Sequence, residues 1–300
     1  MTRPFCAEVS EESSEPLSGT ASRVERWLVL EYRGLWNRQV LGGSTLSERV
    51  KGHLTEQLSA RPRSRLLFVR RPERRRSTGL KCYFGQSLER DRRFSELDLE
   101  SYEDLLAVDF ARILDDGSAA RLAHPLLVVC THGKRDRCCA RYGRPLYDEL
   151  REQLDDDWVW QSTHVGGDRF AGNLVCLPEG LYFGRVGRAE VWTLLDEYLA
   201  GRLYLDRFRG RSCHPFAVQA ADRAVRARTR LTGIDDLRLV SARRQAEGWR
   251  IALAADASGE VHEVDIVAEL GDLTYLTCSS PTLQRPRRFV TAKHRVRPAG

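Results

Sequence analysis

Lysine is nearly missing from this chain. Lys51, Lys81, Lys134 and Lys293 are the only four in 300 residues, against 48 lysines and arginines together. The formal charge of +6 is therefore carried by arginine. Basic and acidic residues alternate almost everywhere, as in Glu149-Leu-Arg-Glu-Gln-Leu-Asp155, which is the pattern of a solvated surface and weakens a nucleic-acid role. Basic runs occur only at 70–76 and 285–295, and a solvated face or tail accounts for both. Long apolar runs are also absent, and nothing approaches the roughly 18–20 residues that span a bilayer. Residues 1–22 carry Glu8, Glu11, Glu12 and Glu15 and lack the basic-then-apolar order of a signal peptide. The expectation is a cytoplasmic protein with no membrane association, in a compartment that keeps thiols reduced.

In that setting the eight cysteines (Cys6, Cys82, Cys130, Cys138, Cys139, Cys176, Cys213 and Cys278) do not form a disulfide framework. Cys82 and Cys176 sit inside apolar strands and suit the role of small buried hydrophobes. Cys130, Cys138 and Cys139 do not. The C-x2-C spacing of many zinc sites is missing, as is a paired-carboxylate glycosidase site.

What is present is a twice-run order of elements. Strands are expected at 27–32, 66–69 and 81–84, with a helix at 45–58 and another at 99–114. A second series follows: strand 125–130, helix 145–154 with Pro145 in its first turn, strand 158–163, a hairpin of 173–177 and 181–184, and helix 190–199. Strand–helix–strand, hairpin and helix is a thioredoxin-like order. The fold class expected is therefore α/β (α+β), with two thioredoxin-like units in tandem and a small C-terminal antiparallel sheet. The domains are a flexible leader at 1–22, a degenerate unit at 23–118, a cysteine-bearing unit at 119–210, and a helical segment, small β region and basic tail at 211–300.

Two clusters carry the chemistry. Cys130-Thr-His-Gly-Lys-Arg-Asp-Arg-Cys138-Cys139 follows one expected strand, and His164-Val-Gly-Gly-Asp168-Arg-Phe-Ala-Gly-Asn173 follows another. Thiolates with imidazole suit zinc, copper or an iron–sulfur cluster better than magnesium or calcium. Cys138 and Cys139 lie toward the N-terminal side of a helix, where partial positive charge favours thiolate. Gly166-Gly167 lets the backbone pass close to a neighbour. By themselves the residues leave core packing, a metal site and a thiol site all open.

These two motifs resemble the sucrase/ferredoxin-like family, which is similar to thioredoxin-like [2Fe–2S] ferredoxins. The resemblance extends more loosely from about Gly19 to Gln219 and takes in Arg209-Gly-Arg-Ser-Cys213 and Ala217-Val-Gln219. It implies a [2Fe–2S] cluster as cofactor, with cluster cysteines at Cys130 and Cys139 and a histidine ligand at His164. Where relatives place a second histidine, four residues on, this chain has Asp168. The fourth ligand is then Asp168, Cys138 or water, and loss of the cluster is the remaining alternative. His132, Arg135, Asp136 and Arg169 are expected around the site, His132 either as a hydrogen-bond donor to a cluster sulfur or as a satisfied loop histidine. The function implied is a soluble one-electron carrier in preference to a substrate-turnover enzyme, working with a redox partner protein. The alternatives are a thiol-based oxidoreductase and a cluster-less interaction protein.

Overall fold

A computed structural model describes residues 4–71, 79–116 and 122–298. The expected boundary at 118–119 and most of the basic run at 70–76 lie outside the described residues. The chain divides into two compact units. The first comprises 24–165 and 174–180, and the second 1–23, 166–173 and 181–300. Among the described residues no helix is long and apolar enough to cross a membrane.

The first unit is built on two strand–helix–strand crossovers. In one, β1 (Arg26–Glu31), α2 (Glu48–Ser59) and β2 (Ser64–Arg70) follow in order, and β1 pairs parallel with β2. In the other, β5 (Leu126–Cys130), α4 (Arg137–Leu150) and β6 (Val159–Ser162) do the same. Strands β3 (Leu80–Ser87) and β4 (Arg92–Leu99) extend the first crossover antiparallel, and β7 (Leu174–Leu177) pairs antiparallel with β5. The order across this unit is β4-β3-β1-β2-β6-β5-β7. The halves expected as separate units at 23–118 and 119–210 thus share one sheet, joined where β2 meets β6 through Val69↔Ser162 and Arg70↔Gln161.

Local sequence explains these elements. Leu126-Leu-Val-Val-Cys130 is buried throughout, as a strand between two neighbours with both faces covered must be. Helix α2 starts at a Ser47 cap, whose hydroxyl accepts from the Val50 amide at 3.3 Å, and it buries Val50 and Leu54 one turn apart. The single helix expected at 99–114 is instead a 3-10 turn (Tyr102–Ala107) followed by α3 (Phe110–Asp116). Leu105, Phe110 and Leu114 still reach the core formed with Leu28, Phe68 and Phe84.

The second unit departs further from expectation. The leader is not featureless: α1 (Cys6–Glu12) buries Cys6, Ala7 and Ser10, a narrow stripe of small residues under an acidic outer face. Strands β8 (Leu181–Phe183) and β9 (Phe208–Arg211) pair antiparallel, with α5 (Val191–Leu199) between them in the chain. Helix α6 (Phe216–Thr229) packs on a sheet of β10 (Leu237–Gln245), β11 (Gly248–Ala255), β12 (Glu260–Leu270) and β13 (Arg287–Pro298). The small C-terminal antiparallel sheet is therefore present, and the basic tail is its fourth strand. Gln219 ties α6 to this unit by bonding the Ala21 amide and carbonyl and the Arg211 and His214 carbonyls.

Candidate metal centre

Parallel pairing puts the ends of β5 and β6 side by side. Cys130 is in register with Ser162, and the Thr131 amide donates to the Ser162 carbonyl at 3.1 Å. The loops that follow leave from the same carboxyl edge of the sheet, the place where α/β folds bring functional groups together. Thr163 anchors the second loop: its amide donates to the Phe68 carbonyl at 2.8 Å, and its hydroxyl accepts from the Phe68 amide at 3.0 Å.

Helix α4 begins eight residues before the expected start, with Pro145 in its interior. The cause is Asp136, whose carboxylate accepts from the Cys138 amide at 2.8 Å and caps the first turn. Cys138 and Cys139 therefore lie inside that turn, where the dipole favours thiolate. Gly143 lets the helix lie against the strand end, because a Cβ at that position would stand 2.0 Å from the Cys130 carbonyl oxygen.

These contacts bring Cys130, Cys139 and His164 together. One ligand atom from each lies within 4.8 Å of the other two, and Cys139 Sγ is 3.9 Å from His164 Nδ1. Both cysteines are buried and His164 is half-buried. The Cys139 thiol, hydrogen-bonded to Cys130, holds the Cys130 pKa well below the usual thiol range. His164 and the Val165 amide add to that effect, and burial opposes it. Arg65 of β2 donates to the Val165 carbonyl and braces the His164 loop.

The other expected residues take different places. Asp168 is buried at the start of a 3-10 turn (Asp168–Phe170) in the second unit and is not a member of the three-residue group. Cys138 is buried and also outside that group. Arg169 Nε donates to both carboxylate oxygens of Glu15 at 2.8 Å. The close neighbour of Gly167, at φ +83°, is the Arg209 guanidinium. Arg135 sits in the turn after β5, its amide bonded to the His132 carbonyl at 3.0 Å. His132 is buried beside Trp36, with ring centroids 5.8 Å apart, and burial lowers its pKa.

Gly143, Arg65 and Trp36 did not emerge from the sequence motifs. Only Gly143 carried a signal, an isolated glycine in an amphipathic run that asks for a packing reason. Two buried sulfurs and an imidazole at one sheet edge form a soft donor set that suits iron–sulfur ligation or a thiol-binding metal.

The sucrase/ferredoxin-like profile matches residues 17–210. The chain belongs to this family. Among curated relatives, "Altered inheritance of mitochondria protein 32" of Meyerozyma guilliermondii is 34% identical over 95 residues, covering 28% of this chain and 34% of that protein. The protein of the same name from Debaryomyces hansenii is 30% identical over 95 residues, covering 28% and 35%. The chain thus spans about a third of the length of the curated relatives it matches. Among solved structures, a cysteine-to-serine variant of the thioredoxin-like [2Fe–2S] ferredoxin from Aquifex aeolicus aligns at 17% identity with a TM-score of 0.25. That alignment covers 28% of this chain and 96% of the ferredoxin.

Proposed function

We propose that this sucrase/ferredoxin-like protein is a one-electron carrier whose Cys130, Cys139 and His164 hold a [2Fe–2S] cluster. The observation that carries the reading is the convergence of these three soft donors within 4.8 Å at one buried sheet edge. When bound, such a cluster supplies reversible uptake of a single electron. The chain's own work is to hold the thiolates deprotonated, exclude water around the sulfurs and present the half-buried His164 edge to a partner. Lys134 and Arg137 are exposed in the segment between the two cysteines, which suits an acidic redox partner and makes electron transfer salt-sensitive.

A second reading is supported by the Cys130–Cys139 contact itself. Two hydrogen-bonded thiols, one with a lowered pKa, are also the starting state for disulfide exchange. Anaerobic purification with visible spectroscopy and iron and sulfide analysis separates the two. A coloured protein with about two irons and two sulfides per chain, lost in Cys130→Ser and Cys139→Ser, supports the carrier. A colourless, iron-free protein after reconstitution rejects it and leaves thiol chemistry.

A further inference from the structure

The three-residue group leaves a [2Fe–2S] cluster one protein ligand short, since such clusters take four. The first unit holds a fourth donor in His132. This residue follows Cys130 by two positions and is 1% exposed, and neither ring nitrogen makes a well-formed hydrogen bond, the Asn37 backbone being a polar neighbour that draws its pKa upward. Buried polar groups in native proteins are almost always satisfied, and leaving one bare costs about 1–3 kcal/mol. Trp36 packs edge-on against the imidazole, and the Arg70 guanidinium lies 4.0 Å over the Trp36 ring. His132 is therefore held inside against Trp36 with a ring nitrogen open to a ligand.

We propose that His132 is the fourth ligand, sharing one iron with His164 while Cys130 and Cys139 hold the other. The proposal rests on the carrier reading above and names what that reading leaves open. A dinuclear cluster divides its ligands between two metal atoms, so the fourth donor need not belong to the compact three-residue group. The resulting set, two thiolates and two imidazoles, has the composition of high-potential [2Fe–2S] centres. It restores the second imidazole that the position of Asp168 no longer supplies, and it leaves Asp168 as a buried residue of its own turn.

The decisive measurement uses the full chain labelled with 15N-histidine, reconstituted, reduced and examined by pulsed EPR. Two coupled histidine nitrogens are expected in the wild type, one in His132→Gln and two in Asp168→Ala. A single coupled nitrogen in the wild type overturns the assignment, as do two that persist in His132→Gln. Where His132→Gln fails to hold a cluster, the wild-type count still decides, and His132→Cys is expected to give one nitrogen with an altered visible spectrum. Iron and sulfide analysis keeps the two readings distinct. A wild type that takes up neither rejects the carrier and this ligand together, whereas a full cluster with one histidine nitrogen rejects the ligand alone.

Discussion

Cys130 and Cys176 lie on adjacent strands of one sheet, both almost wholly buried, yet their thiols are pushed in opposite directions. Burial, with Glu179 adding to it, drives Cys176 on β7 well above the usual range. Cys130 at the end of β5 is held well below it by Cys139, His164 and the Val165 amide. Cys82, in the middle of β3, behaves like Cys176. The lesson is about position along a strand. In mid-strand the backbone amides are committed to the ladder and burial of the sulfur dominates. At the carboxyl end, loops and a helix N-terminus bring donors to it.

The sharpest way to break this comparison is to remove one sulfur of each kind. Cys130→Ser or Cys139→Ser is expected to abolish iron and sulfide binding, while Cys82→Ala and Cys176→Ala retain it. Equal losses in both pairs would mean that the cysteines act through packing. Thiol labelling sharpens the same contrast. Cys82 and Cys176 can react only through opening of the native sheet, so their labelling should be at least about 10³-fold slower than in denaturant. Mass spectrometry of alkylated peptides reads this directly, and rapid native labelling of either residue would contradict the mid-strand picture.

The next effects are on the supports of the strand end. Gly143→Ala places a Cβ against the Cys130 carbonyl and is expected to destabilise the protein by about 1–3 kcal/mol, despite the better helix propensity of alanine. Gly52 of α2 is the control, because its Cβ would meet nothing within 4 Å. Gly52→Ala should be neutral or stabilising by up to about 1 kcal/mol. Asp136→Ala removes the α4 cap at a cost of about 1 kcal/mol, and Asp136→Asn should keep most of it. Denaturant midpoints at unchanged slope report all four.

How much of this was legible follows from which force shaped each element. Cys130, Cys139 and His164 stood out because soft donors after apolar strands are an unusual pattern, and the two crossovers followed from hydrophobic periodicity. The start of α4 was hidden because Asp136 looked like loop charge and Pro145 like a first-turn proline. The cap decides the start, and the interior Pro145 is accommodated. Strand β4 (Arg92–Leu99) was missed since only Phe94 and Leu99 are buried along it. The same is true of β13, read as a tail from its charge: Arg295 bonds Asp265 at 3.1 Å and Arg297 bonds Glu263 at 2.9 Å, so its pairing is written in cross-strand charges. His132 was visible as a loop histidine, but its burial without a well-formed hydrogen bond is a property of the folded chain.

The four-stranded sheet offers the mildest test, because burial acts there on a pair of histidines. His262 Nδ1 and His294 Nε2 share a hydrogen bond of 3.1 Å between β12 and β13. Burial lowers both pKa values; Arg228 of α6 adds to this, His262 itself presses on His294, and Glu260 opposes the shift at His262. A histidine with a lowered folded pKa binds its proton more readily when unfolded. Stability is therefore complete above the unfolded value of about 6.5 and declines as pH falls below it toward the folded values. Unfolding midpoints between pH 7.5 and 5 should fall in the wild type and flatten in His262→Gln and His294→Gln. A slope that survives both substitutions would assign the acid sensitivity elsewhere and leave burial alone insufficient to move these imidazoles.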